Sequence, residues 1–553
     1  MSSERARTWL LALPLLALLV WVVVFPNASV VVESFGDNLN HWREFFASPG
    51  DREAVLNTLI VSVGSVVAAL VIGLPLAFLL TRYEFPGRRV LRIVAILPAA
   101  LPPLVGVIAF LFLYGESGVV TRAVQYTLRL DTPPWRLTGL GAIIFVHAYT
   151  MYVFVFLFVS AALERFDSSV EEAAAGLGAG TARRLRRVTL PLLFPAIAGA
   201  MLLVFMNALG SFSAPYVFGG GVRVLSTQIF ASKLNGALGL AYAETTVLTT
   251  SAIAGLLLFR WLDRRRQYVV SGKGVRSRRT LGSGLVQAAL MLVALTVVVF
   301  LVLPHLMVVL VSFARDGAWT TQVLPPEYTL DNYRQLATDS QLWRPIRNSV
   351  SMSAIATAAN IGVALVAAYL IVLRRWRGRR VLDVLVALPW AIPATAIALG
   401  LAATFNRNDP AAARILLVGT FWILPLAYFI RNIPLVVTPA AASLRQMDPS
   451  LEDAARGLGA SWWLTMRRIV LPAARPGLIA GALLGAVTAV GDFVTSIVLY
   501  THANRPISLE ILAQLRALAF GTAASYSVLL IVLVALITFA ARALEDQFTS
   551  ASG

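Results

Sequence analysis

The stretch EEAAAGLGAG at residues 171–180 returns, nearly letter for letter, as EDAARGLGAS at 452–461. The offset of 281 residues is about half of the 553-residue chain. The likeness spreads outward from this seed. Across 171–200 and 452–481, 12 of 30 positions are identical, among them Arg186-Arg187 with Arg467-Arg468, Leu190-Pro191 with Leu471-Pro472, and Pro195 with Pro476. Upstream, GRRVL occurs at 87–91 and 378–382, Leu97-Pro98 matches Leu388-Pro389, and Asn57 matches Asn348 at an offset of 291. The chain therefore reads as a tandem duplication, with ten extra residues in the first copy between the Leu-Pro pair and the repeated stretch.

Composition decides the medium in which the repeats fold. Hydrophobic residues make up 58% of the chain, charged residues only 13%, and the mean hydropathy is +0.77, outside the range of soluble globular domains. Apolar runs long enough to cross about 30 Å of hydrocarbon as helix fall near 9–32, 55–81, 91–114, 139–163, 196–218 and 246–262. A second set falls near 283–313, 346–373, 382–405, 413–435, 477–500 and 524–542. The spacing thus predicts an all-α integral membrane protein of twelve transmembrane helices in two like-oriented six-helix repeats. Residues 1–262 form the first, 263–282 a basic cytoplasmic linker, and 283–553 the second. Helices are the expected form because backbone groups in lipid must be satisfied internally, and the runs lack the alternation of a barrel strand. The first run follows RAR like a signal peptide, but it is long and no A-x-A site follows, so it is expected to be retained.

Charge orients the bundle. If both termini and the even-numbered connections share one side, that side carries 31 of the 46 Lys and Arg, and by the positive-inside rule it is cytoplasmic. The +18 net charge is then accounted for by topology and anionic lipid, without a nucleic-acid partner. Both copies of the opening stretch fall in cytoplasmic connections, 164–195 and 436–476, between the fourth and fifth spans of their repeats. In each, an acidic pair opens a run of Ala that favours helix and leaves a smooth surface, and a Gly then permits a turn or a close approach. The expected product is a short helix lying across the membrane face, shaped to enter a groove of another protein.

These loops resemble the EAA motif, E-A-A-x3-G with L-P a dozen residues on, of the permease subunits of type I ABC importers. The first copy matches through Glu171, Glu172, Ala173, Ala174, Gly178, Leu190 and Pro191. The second matches through Glu452, Asp453, Ala454, Ala455, Gly459, Leu471 and Pro472, with Asp453 where the family usually has Glu. The fused layout resembles permeases for ferric iron, thiamine and some phosphonates. FLYGESGVVTR at 112–122 and SAPYVFGGG at 213–221 resemble the ferric-iron group most. The resemblance implies that the loops dock two copies of a separate cytoplasmic ATPase, which would hold ATP and Mg. It implies also that an extracytoplasmic binding protein delivers the solute, that transport runs inward by alternating access, and that the chain sits in a bacterial inner membrane with both termini cytoplasmic.

The sequence agrees in carrying no G-x4-G-K-[ST] phosphate loop; SGKG at 271–274 lacks its spacing. With no cysteine and four scattered histidines, it shows no metal or covalent catalytic cluster. An ATP-independent secondary transporter would share the hydropathy and the duplication but would leave the repeated loop unexplained.

Candidates for the path are polar groups inside spans. Asp492, in TAVGDFVTS, is placed about two-thirds along the eleventh span, and its repeat partner is Ser211 in NALGSFSAP. Thr488 and Asn207 lie four residues earlier, one helical turn away. A carboxylate at 492 either attracts a cation or pairs with a basic residue. His147, Tyr149 and Tyr152 read as packing or interface residues, and Glu116 and Glu244 as groups at the outer surface.

Overall fold

The computed structural model describes residues 2–166, 169–264, 279–280, 284–319, 322–374, 376–408, 410–448 and 450–550. Most of the basic linker lies outside the described residues. Among them, eleven helices are long and apolar enough to cross a membrane, and Arg379–Ala391 with Ala394–Phe405 makes a twelfth span bent by 104°.

That bend and its counterpart are the first departure from the expected straight spans. Near 91–114 the chain forms Arg88–Val94, a 3-10 turn Leu97–Ala100, and then Pro103–Tyr114. The breaks fall at Pro102-Pro103 and at Pro393, where the missing N–H and the restriction on the preceding residue end one helix and start the next. The tenth span is Ile423–Arg445 and the eleventh Trp462–Val490, about ten residues from the hydropathic positions at one or both ends. The reason is visible in the tenth helix. It carries Arg431, Asn432, Pro434 and Pro439 on a largely protein-covered surface, so its window was less apolar than the loop preceding it.

The core has two centres, one per repeat, and the first helix of each repeat reaches into the other's centre, although the seventh span also lends Met307, Val308 and Val311 to its own. Ala12, Leu19, Val22 and Val23 of the first span join the core built by residues 346–530. Ala294 and Leu301 of the seventh span Gln287–Ser312 join the core of the first repeat, and Tyr149 Oη donates to the Leu301 carbonyl at 2.8 Å. Each repeat is therefore clasped by a helix of the other, which fixes the pair without a soluble domain.

Inside the repeats, close helix packing is achieved differently. In the second, Gly477, Gly481 and Gly485 recur every fourth residue along Trp462–Val490. A Cβ on Gly477 would lie 2.1 Å from the Pro439 carbonyl oxygen, and one on Gly481 2.7 Å from the Val436 Cα. This is the small-residue stripe by which membrane helices approach backbone to backbone. The matching residues of the first repeat are Ala196, Ala200 and Val204, and there the close approach is at Gly73, whose Cβ would meet the Tyr152 carbonyl oxygen at 2.7 Å.

Candidate functional site: two repeated loops and a paired break

The repeated loops fold alike. Each begins with a short helix, Ser169–Gly176 or Ser450–Gly457, and each ends it on a left-handed glycine, Gly178 at φ 76° and Gly459 at φ 78°. The N–H of Ala179 bonds the Ala174 carbonyl at 3.0 Å and that of Gly178 the Ala175 carbonyl at 2.9 Å. Ala460 with Ala455 and Gly459 with Arg456 repeat both bonds. This is the Schellman stop, in which a glycine takes the positive φ. No atom lies within 4 Å of a Cβ built on either glycine, so each serves the turn and not a contact inside this chain. The residue before it, Leu177 or Leu458, is 89% exposed in both copies. A leucine so exposed, twice over, is an apolar knob that nothing among the described residues covers.

The acidic pairs divide their work. Glu172 and Asp453 are exposed, whereas Glu171 and Glu452 are buried. Glu171 accepts from Arg82 at 2.7 Å and from the Thr189 hydroxyl; Arg82 itself stacks over Phe78 and Phe166. Glu452 pairs with Arg374. The Arg374 guanidinium also donates to the Tyr369 hydroxyl at 2.8 Å, and Trp462 Nε1 donates to the same oxygen at 2.8 Å. Burial pulls the Arg374 pKa down, but Tyr369 and Glu452 outweigh it and the net direction is up. The first acid of each pair thus ties its loop to the inner end of the second span, and the second acid faces outward.

Downstream, both copies make one wide π turn, Leu185–Thr189 and Met466–Val470, before Leu190-Pro191 and Leu471-Pro472. The long helices that follow, Thr181–Leu209 and Trp462–Val490 as whole spans, then stop at Gly210 and Gly491 and are succeeded by short helices Ser213–Phe218 and Val494–Leu499. Ser211 and Asp492 accordingly sit in a break just past the span, and not within it as the hydropathy suggested. Asn207 and Thr488 lie in the last turn before the break, both exposed. Asn207 bonds the Leu203 carbonyl, and Thr488 the Asn432 side chain at 2.8 Å.

The two breaks are pinned by the same bonds. Ser226 Oγ donates to the Ser211 carbonyl and Ser508 Oγ to the Asp492 carbonyl, each at 2.6 Å. Asn57 Nδ2 donates to the Arg223 carbonyl and Asn348 Nδ2 to that of Arg505, each at 3.0 Å. They also meet each other. Phe212 and Phe493, one residue on from Ser211 and Asp492, lie with ring centroids 5.8 Å apart, both buried. A Cβ on Gly210 would touch Pro393 at 3.8 Å, and one on Gly491 would touch Pro102 at 3.1 Å. Pro102 and Pro393 are equivalent in the repeats, so these contacts are reciprocal across a pseudo-twofold axis. Four breaks, two in the third spans and two after the fifth, converge there and close the interface between the repeats.

The side chains supporting the breaks differ. Asp492 Oδ1 accepts from the N–H groups of Thr495 and Ser496, each at 3.1 Å, and caps the short helix; Oδ2 pairs with Arg431. Ser211 exchanges a hydrogen bond with His147 Nε2 at 2.8 Å, and His147 Nδ1 with Ser65 at 2.9 Å. Tyr428 stands where the first repeat has His147 and meets Ser496 at 2.7 Å. Tyr152 Oη donates to the Ala95 carbonyl at 2.7 Å, an interior anchor. Glu116 is exposed beside Arg136. Glu244 is not at the surface: it is fully buried and accepts from Ser232 at 2.8 Å. Arg431, Arg82 and Arg374 were not singled out from sequence, since nothing marks which of many arginines faces a buried acid. The buried acids themselves, first of each repeated pair, were the available signal.

The comparisons fit this architecture. The family model for the binding-protein-dependent transport system inner membrane component matches residues 56–268 and again 360–550. The chain belongs to that family, as a fused two-repeat permease. It is 29% identical over 463 residues to a probable ABC transporter permease of Sinorhizobium fredii, covering 83% of this chain and 81% of the relative. It is 27% identical over 539 residues to the ferric transport system permease protein FbpB of Actinobacillus pleuropneumoniae, covering 95% and 77%. Over 205 residues it is 31% identical to a probable molybdenum ABC transporter permease of Haloferax volcanii, covering 37% of this chain and 73% of that one. The chain is thus a multi-pass ABC permease of the importer family.

Proposed function

We propose that this permease takes its solute from an extracytoplasmic binding protein and passes it inward by alternating access. Two copies of a separate ATPase dock on the two loops. In this reading Leu177 and Leu458 enter an apolar groove on each ATPase, Glu172 and Asp453 meet basic groups at its rim, and Gly178 and Gly459 set the angle of approach. Glu171 and Glu452 transmit the motion through Arg82 and Arg374. ATP and Mg are held on the partner subunits, and the loop side, with both termini, is cytoplasmic. Asn207 and Thr488 line the route below the closure at Phe212 and Phe493. Ser211 and Asp492 hold the break rigid, because the lone pairs of Asp492 are taken up within the chain.

The observation that carries this is the duplicated loop: the same Schellman stop and the same 89% exposed leucine in both copies. We take ferric iron as the solute, on the relatives named for ferric transport and their coverage of nearly the whole chain; thiamine and phosphonates are the alternatives. The test is to tag the chain in its host, purify it, and assay uptake. Two ATPases per chain and ATP-dependent uptake are expected. Replacing Gly178 and Gly459 together with Val forces β-branched residues into φ near 77°, and should abolish coupling while the membrane fold survives. Unchanged ATP-driven uptake in that double variant would falsify the coupling assignment.

A further inference from the structure

Beyond the closure, on the face opposite the two loops, cations cross the interface between the repeats. Lys233 ends the helix Leu225–Leu234 of the first repeat and donates to the carbonyl of Val498, in the short helix of the second. Arg516 ends the matching helix Ile507–Arg516 and lies 5.3 Å from the ring of Tyr216, in the short helix of the first. The two helices are equivalent under the pseudo-twofold axis and the two cations stand one residue apart in register, so each repeat sends one cation to the other's break. Among the described residues neither has a carboxylate within 4 Å.

Lys233 also opens onto a cavity of about 130 Å³ between the repeats, whose other polar lining is Tyr242, Asn406, Arg407, Tyr500 and Thr501. Arg407 is paired with Glu33 at 3.2 Å, which leaves Lys233 as the uncompensated charge. An ammonium has three donors and this one spends one, on a carbonyl. Burial pushes its pKa down, the signature of a cation short of solvation, which an anion would relieve. No carboxylate lines the cavity, so a bare metal cation arriving there meets like charge.

We propose that this outer cavity receives an oxyanion, the carboxylate or phosphate-type oxygens of the solute, on Lys233. The inference rests on the permease reading and refines it: a metal solute would pass as an anionic complex and not as a free ion.

The test uses the complex of chain and ATPases in phosphatidylcholine nanodiscs, with labelled citrate and inorganic phosphate as probes in equilibrium dialysis at low ionic strength. One of these anions is expected to bind at one site per chain. Lys233→Gln, which keeps a donor and removes the charge, should weaken that binding about tenfold, the worth of one charge-assisted hydrogen bond. Lys233→Arg should retain it, and Arg516→Gln should weaken it less. Absence of binding by both anions, or equal binding in Lys233→Gln, overturns the proposal; so does equal loss in Lys233→Gln and Lys233→Arg, which would mark a structural role. Binding that disappears when phosphatidylglycerol replaces part of the lipid marks a headgroup site and also overturns it. ATPases that remain attached while no anion binds sink this inference alone, whereas ATPases that never attach sink the functional reading beneath it.

Discussion

The two repeats hold one backbone with two chemistries. At the break after the fifth span, the first uses a neutral relay, Ser65 to His147 to Ser211, and the second uses an ion pair with a helix cap, Arg431 to Asp492 to the N–H groups of Thr495 and Ser496. The backbone anchors around them, Ser226 with Ser508 and Asn57 with Asn348, are unchanged. At the loops the pattern recurs: a buried Glu meets an Arg in both, supported by Thr189 in one and by Tyr369 and Trp462 in the other. What duplication has kept is the geometry that closes the interface and stops the loop helix. What has drifted is the means of holding it.

The comparison is broken most severely at the glycine stripe. Gly477→Leu in the second repeat sets a branched side chain against the Pro439 carbonyl, where even a Cβ has no room. It should eliminate the folded chain, seen as loss of monodisperse protein in detergent, whereas the smaller change Ala196→Val at the equivalent position of the first repeat should leave it. Next in size is the ion pair. Asp492→Ala removes the partner of the half-exposed Arg431 and empties the cap, and is expected to cost about 2–3 kcal/mol, read as a fall in unfolding temperature. Ser211→Ala at the equivalent position removes one neutral hydrogen bond, at a cost of about 1 kcal/mol. Equal losses at 211 and 492 would erase the distinction drawn between the repeats.

A sharper cut comes from Arg431→Ala combined with Asp492→Ala. The double variant should be more stable than the sum of the single ones implies, since the two losses share one interaction and the cycle does not add. Strict additivity would mean that the capping bonds alone account for Asp492. The smallest expected effect on stability belongs to Leu177→Asp and Leu458→Asp. Both side chains are exposed, so each change should shift unfolding by no more than about 0.5 kcal/mol, yet each should release one ATPase from the purified complex. Loss of stability comparable to that of Asp492→Ala would place these leucines inside the chain's own packing.

Much of this was legible in the sequence because duplication doubles every signal. Two copies of E-A-A-x3-G show as a helix and its stop, and mean hydropathy shows the membrane. Four features stayed hidden for physical reasons. Hydropathy counts residues without knowing what covers them, so Ile423–Arg445, lined by protein, was read ten residues early. The eleventh span was read on to 500 although its helix ends at Val490, which put Asp492 inside a helix when it caps the next one. Proline breaks at Pro102 and Pro393 lie within otherwise apolar runs, which a composition window cannot divide. Glu244 looked like a surface group because nothing local announces Ser232, twelve residues back, folding over it. The clasp of each repeat by the other's first helix is a long-range fact with no sequence period to betray it.

In the proposed function the two loops are equivalent docks for one ATPase each. The chain contains no cysteine, so Leu177→Cys and Leu458→Cys each introduce a unique thiol at the tip of one loop. With the complex assembled in nanodiscs, a short bifunctional crosslinker should join one ATPase to the chain in either single variant and two in the double variant, resolved by mass. Thiols that remain open to maleimide in the assembled complex and yield no adduct at either loop would contradict it.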